Sequence, residues 1–181
     1  MRKDELYDYL YRDFLNLPND ERELYKAYGL KARAKNLVTT VPLEWQWGKI
    51  KQIQDIISLD WLRWDDLTEI IMLALDKTRE EVLDMKWFEV ARFYSFILES
   101  IKEINEKEKQ LNYEPDAKEM NAGIEKFQQF SWFATLDRVA GGDVLKYEEV
   151  SKQPYSVIFS KLLLQKTEAE YNKALIRQNH V

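Results

Sequence analysis

Residues equipped for chemistry are scarce in this chain: it has one histidine, His180, and no cysteine. Histidine is the side chain whose ordinary charge change falls near neutral pH, and a cysteine thiolate is a strong nucleophile. A histidine beside the C-terminus is badly placed for proton transfer or ligation. Carboxylates remain. Asp65-Asp66 and Glu148-Glu149 are adjacent pairs that could in principle move protons or hold a metal. Neighbouring helical residues point in different directions, so neither pair converges on one ion. A di-metal bundle needs Glu-x-x-His on facing helices, a pattern this sequence lacks. The carboxylates therefore read as solvated faces, and the expectation is a non-enzymatic protein with no metal and no cofactor.

Three other features invite a functional reading. Gly141-Gly142-Asp143 could cradle a phosphate, but no strand precedes it and no Gly-Lys-Ser/Thr follows. It reads instead as a tight turn between helices, with Pro154 opening the helix beyond. The segment from Lys26 to Lys35 carries Tyr28, Lys31 and Arg33, the mix that single-stranded nucleic acid needs. A net charge of −5 argues against it, because phosphate binding draws on Lys and Arg. Trp45 and Trp47 are hard to bury together at the start of a short helix. With Tyr155 they form the candidate partner surface, since large aromatics left partly exposed are enriched at interfaces; the equal alternative is that the two tryptophans form the lid of the core.

Five Gly and four Pro in 181 residues leave room for long helices with short connections. Apolar spacing predicts helices over 4–15, 19–35, 43–57, 60–75 and 78–85. A long one follows over 87–111, and shorter ones cover 116–130, 132–140, 144–152 and the stretch after 154. Thr78-Arg79-Glu80-Glu81 reads as a capping box, and Asp116 with Glu119 as another. Val38 to Pro42 is β-branched and ends in proline, so it reads as extended. Gly48 weakens the start of the helix that carries it. No internal repeat stands out. The fold expected is all-α, an irregular bundle of about seven to nine helices. It divides into an N-terminal region, 1–111, and a C-terminal subdomain, 116–181, of helix-turn-helix-Pro-Tyr-helix form packed on it, with one single domain as the alternative. No apolar run is long enough to span a bilayer, and the N-terminus lacks a signal-peptide pattern.

The run from Thr135 to Val150, with Pro154-Tyr155 and Phe159-Ser-Lys-Leu-Leu-Leu after it, resembles small helical proteins of tailed phages and prophages of Bacteroidetes. Met120-Asn-Ala-Gly-Ile-Glu-Lys-Phe and the block from Phe93 to Leu98 are similar too. Val139 stands where those proteins more often have Leu. The resemblance covers the C-terminal half and hardly touches the first forty residues. It implies a virion-morphogenesis factor, similar to tail assembly chaperones, working in the host bacterial cytoplasm or within the virion. Its partners would be virion or tail proteins, the tape-measure or tail-tube protein above all, and a homo-oligomer is compatible. The resemblance carries no catalytic residue. A nucleic-acid-associated accessory protein is the alternative, and a membrane protein is not expected.

Overall fold

The computed structural model describes residues 9–23, 44–59 and 63–178. The fold is all-α: among the described residues 79% are helical and none forms a strand. The helices with both ends described are α1 (Tyr11–Leu15), α2 (Trp47–Ile57), α3 (Trp64–Leu75), α4 (Arg79–Leu83), α5 (Trp87–Glu108), α6 (Ala117–Asn121), α7 (Trp132–Ala140), α8 (Tyr147–Ser151) and α9 (Tyr155–Gln178). A helical turn at 19–23 and 3-10 segments at Lys109–Leu111, Ile124–Phe130 and Val144–Lys146 take the count slightly above the expected range. The extended reading of Val38 to Pro42, most of the 19–35 helix and the cap at Asp60 lie outside the described residues.

The described residues form two compact units, and neither is one continuous stretch of chain. The first comprises 9–23, 52–59 and 63–102; the second comprises 44–51 and 103–178. The division thus falls inside α2 and α5 rather than at 112–115. Residues 112–116 are irregular, as expected for a connection.

Each unit is closed by the same device. In the first, Tyr11 N–H donates to the Met85 carbonyl and Trp87 N–H to the Tyr9 carbonyl, both at 2.8 Å. Leu10 and Lys86 form the resulting antiparallel bridge, and each is followed directly by the first residue of a helix. In the second, Trp47 N–H donates to the Gln153 carbonyl and Tyr155 N–H to the Trp45 carbonyl, again at 2.8 Å, bridging Gln46 and Pro154. A helix leaves its first N–H groups without intrahelical partners. The bridge supplies an acceptor for one N–H on each of two helices and fixes where both begin.

The approach to each bridge also recurs. α3 ends on Asp76 at φ 54°, and α7 ends on Gly141 at φ 71°. Two residues later Thr78 and Asp143 each cap the next short helical segment. Glu80-Glu81-Val82 and Glu148-Glu149-Val150 then lead, at equal spacing, to Trp87 and Tyr155. The local hydrogen bonds match as well: Asp84 to Glu80 and Lys152 to Glu148, Met85 to Val82 and Gln153 to Val150. The two approaches thus share a local geometry that the sequence reading did not single out. The likeness is one of backbone conformation and capping, with little residue identity beyond the Glu-Glu-Val triplets.

The first core is aromatic. Phe14 stacks on Trp87 at 3.7 Å between centroids, Tyr11 lies 5.8 Å from Trp87, and Trp64 meets Phe14 edge-on at 5.0 Å. The Tyr11 hydroxyl sits 3.1 Å from Thr68 Oγ1 and 3.2 Å from the Trp64 carbonyl. Ile70, Ile71 and Val82 complete that interior. In the second, Trp47 meets Trp132 edge-on at 5.5 Å, with Leu136, Ile158 and Leu162 also buried. Gly48 is buried where a Cβ would stand 2.9 Å from Ser151 Cβ, so the glycine that weakens α2 is what lets α2 approach α8.

The expected 116–130 helix is broken. Gly123 at φ 83° ends the helical turn begun by the Asp116–Glu119 capping box, and the chain continues as a 3-10 segment. The 144–152 element likewise opens as a 3-10 turn, with Lys146 N–H reaching Asp143 O at 3.0 Å.

Candidate interaction surface

Trp45, Trp47 and Tyr155 are not a surface. All three are buried, Trp47 and Tyr155 to 1% exposure. The reading as exposed anchors assumed a helix starting near Leu43, which spreads the two tryptophans over different sides. The backbone instead runs through the Gln46 bridge before α2 begins. Residues two apart on an extended segment share a side. Trp-Gln-Trp therefore turns both indoles inward, a period-two signal present in the sequence and masked by the helical reading. Tyr155 follows the bridging Pro154 and fills the first inward position of α9. Its phenol is pushed far above the ordinary range, first by burial and then by the Glu108 carboxylate. Glu108 also pairs with Lys51 at 2.7 Å, with both side chains largely shielded.

The turn residues sit where expected. Gly141 and Gly142 both have positive φ, at 71° and 76°, where a Cβ would be strained. Asp143 accepts from Leu145 N–H at 3.1 Å. That bond, helped by Lys146, holds the Asp143 carboxyl below the usual aspartate range. Pro154 stands one place ahead of α9, where its missing N–H costs nothing.

The carboxylate pairs do not converge. Asp65 accepts from Arg79 at 2.6 Å, while Asp66 caps the backbone N–H of its own helix start at Arg63, 2.7 Å away. Glu148 pairs with Lys152 at 2.5 Å, one turn along. Among the described residues no three or more acidic or histidine side chains gather to hold a metal ion, and no helix is long and apolar enough to cross a membrane. The Lys26 to Lys35 segment lies outside the described residues.

Apolar side chains missed by the sequence reading do lie outside. Phe127 and Phe130 project from the 3-10 segment after Gly123, and Phe133 from the first turn of α7. Phe133 meets Tyr147 edge-on at 5.3 Å. Val144 and Leu145 occupy the 3-10 turn between the Asp143 cap and α8, with Leu145 89% exposed. That turn has no counterpart in the first unit, where α4 starts directly after Thr78. α7 touches both 3-10 segments and α8, and all five residues lie on α7 or on the segments flanking it. Helical spacing had assigned Phe127 and Phe130 to a regular helix. Only the positive φ at Gly123 reveals that the backbone turns them out.

A second cluster ties the irregular 112–116 stretch to α9. Lys166 Nζ donates to the Gln110 and Asn112 carbonyls at 2.8 and 2.9 Å. Lys173 reaches Asp116 at 3.1 Å and the Tyr113 hydroxyl at 3.2 Å, and its ammonium lies over the Tyr113 ring. The Tyr113 hydroxyl donates to Glu119 at 2.5 Å; this bond, then the Asp116 N–H, holds the Glu119 carboxyl low. The cluster is internally satisfied and works as a fastening.

No protein-family model matches the chain, and neither curated proteins nor solved structures give a match.

Proposed function

We propose that this is a phage virion assembly or structural protein that acts through protein–protein contacts, as a chaperone-like factor for the tape-measure protein or a neighbouring tail component. The observation that carries the reading is the exposure of Phe127, Phe130, Phe133, Val144 and Leu145 on α7 and the two 3-10 segments that flank it. A lone exposed apolar residue is ordinary, whereas several on adjoining elements mark a contact surface. Three are phenylalanines, and aromatic residues are enriched at interfaces relative to the rest of the surface. An apolar face of a helical client would seat on such a surface without any reactive group. The likeness of the Thr135–Val150 run to phage morphogenesis proteins supplies the partner class.

Co-expression with tape-measure and tail-tube proteins of the same phage or prophage tests it. A co-purifying complex is expected, lost in a Phe127→Ser/Leu145→Ser variant that keeps its helical circular dichroism. No complex with any virion protein, together with absence from purified particles by mass spectrometry, overturns the proposal.

A further inference from the structure

α9 is apolar on two sides. Tyr155, Ile158 and Leu162 are buried on one, and Lys166 and Lys173 continue that side into the fastening with 110–116. Val157, Leu164 and Tyr171 recur every seven residues and lie two positions from Lys166 and Lys173 in register, about 200° around the helix. They are 51, 58 and 64% exposed. Ser160, Thr167 and Ala174 fall three residues after each, and all are exposed. Val157, Leu164 and Tyr171 place one exposed apolar residue in each heptad, and Ser160, Thr167 and Ala174 place a small one three residues on, at the two positions a coiled-coil seam uses.

We propose that a second copy of this chain covers this seam, with its α9 running antiparallel to the first. Antiparallel pairing sets each large core position against a small one: Val157 on Ala174 of the partner subunit, Leu164 on Thr167 of the partner subunit, Tyr171 on Ser160 of the partner subunit. A parallel pair would instead stack Tyr171 on itself and Ser160 on itself. The charges agree with the same register. Lys161 and Glu168 flank the seam on the same edge, both exposed, and the antiparallel alignment brings each opposite its complement on the other copy. A parallel alignment does not. Lys161 Nζ donates a long hydrogen bond, 3.5 Å, to the Val139 carbonyl, which pairing with Glu168 of the partner subunit would replace. The contact is isologous, as a closed dimer requires. It uses a different stretch of the second unit from Phe127 and Leu145 and stands independently of the client proposed above.

Light scattering on the full chain across a concentration series tests the proposal, with cross-linking to read the direction. A mass twice that of one chain is expected. Leu164→Glu/Tyr171→Glu should raise the dissociation constant by about a hundredfold or more, since it places carboxylates in a dry seam. Lys161→Glu should weaken the dimer, and Lys161→Glu/Glu168→Lys should restore it. The chain has no cysteine, so engineered thiols report cleanly. Val157→Cys/Ala174→Cys should give covalent dimers under mild oxidation, and each single cysteine variant should not. A monomer at every concentration overturns the proposal. So does a dimer indifferent to Leu164→Glu/Tyr171→Glu in a variant of unchanged helicity, or single-cysteine cross-linking that signals a parallel pair.

Discussion

α5 and α9 begin alike and end up facing different surroundings. Both start at a bridge, Lys86 and Pro154, with a buried aromatic at the first helical position. Carried along in register from that point, Val157, Leu164 and Tyr171 of α9 correspond to Glu89, Phe96 and Glu103 of α5. The α5 set is mostly charged, and the two glutamates are exposed to solvent. The α9 set is apolar and exposed. One start geometry thus serves a helix with a solvated outer face and another whose outer face resembles an inner one. The bridge fixes only where a helix starts and which residue turns inward. What the opposite side presents is written independently, so contact surfaces can change without disturbing the closure.

The comparison can be broken hardest at the aromatic start. Trp87→Ala removes the ring on which Phe14 and Tyr11 stack and should cost about 3–5 kcal/mol in urea unfolding. Tyr155→Ala, whose ring meets Phe159 at 5.8 Å, should cost less. Equal losses would show that the two starts are supported equally well.

Gly48→Ala comes next. Its Cβ would press on Ser151 and should destabilise by about 1–3 kcal/mol. Adding Ser151→Gly should recover part of that, and a double-mutant cycle reads the coupling.

The caps sharpen the comparison by pH. Thr78→Ala should cost about 1 kcal/mol whatever the pH of measurement within the neutral range. The Asp143 carboxyl titrates lower folded than unfolded, so its contribution is present above the ordinary aspartate pKa. It is lost as pH falls through the folded value. The gap between wild type and Asp143→Asn should therefore close on acidification. At alkaline pH the sign reverses. Burial lifts the Tyr11 phenol to about 12, so unfolding should become easier as pH rises from about 10, where an exposed phenol ionises. Tyr11→Phe should remove that share, as followed by denaturant midpoints across the series.

The smallest effect is expected at Leu145→Ser, within about 0.5 kcal/mol of wild type, because the side chain is 89% exposed. A larger loss would mean that it packs in the free protein.

Helical periodicity made much of this legible. It located α5 and α7 nearly to the residue, and the Thr78 and Asp116 boxes fall where their residue types demand. It failed where the chain is briefly extended. Trp45-Gln46-Trp47 and Tyr9-Leu10-Tyr11 alternate with period two over three residues, too short for a strand signal yet long enough to form a bridge. Their partners lie far along the chain, so nothing local announces them. The outward aromatics were hidden differently: Phe127 and Phe130 fit helical spacing, and only a left-handed glycine withdraws them from it. The contacts proposed for α9 and for Leu145 rest on exposure, which no single sequence displays.

The bridges also set an order of assembly on the ribosome. Leu10 can close with Lys86 while the rest of the chain is still being made, but Gln46 must wait for Pro154. Until then Trp45 and Trp47 have no lid, and the second unit cannot be finished by the residues before it. Cutting the chain at 112–115 would therefore leave Trp45 and Trp47 on one fragment and Pro154-Tyr155 on the other, each a half-built socket seeking its mate.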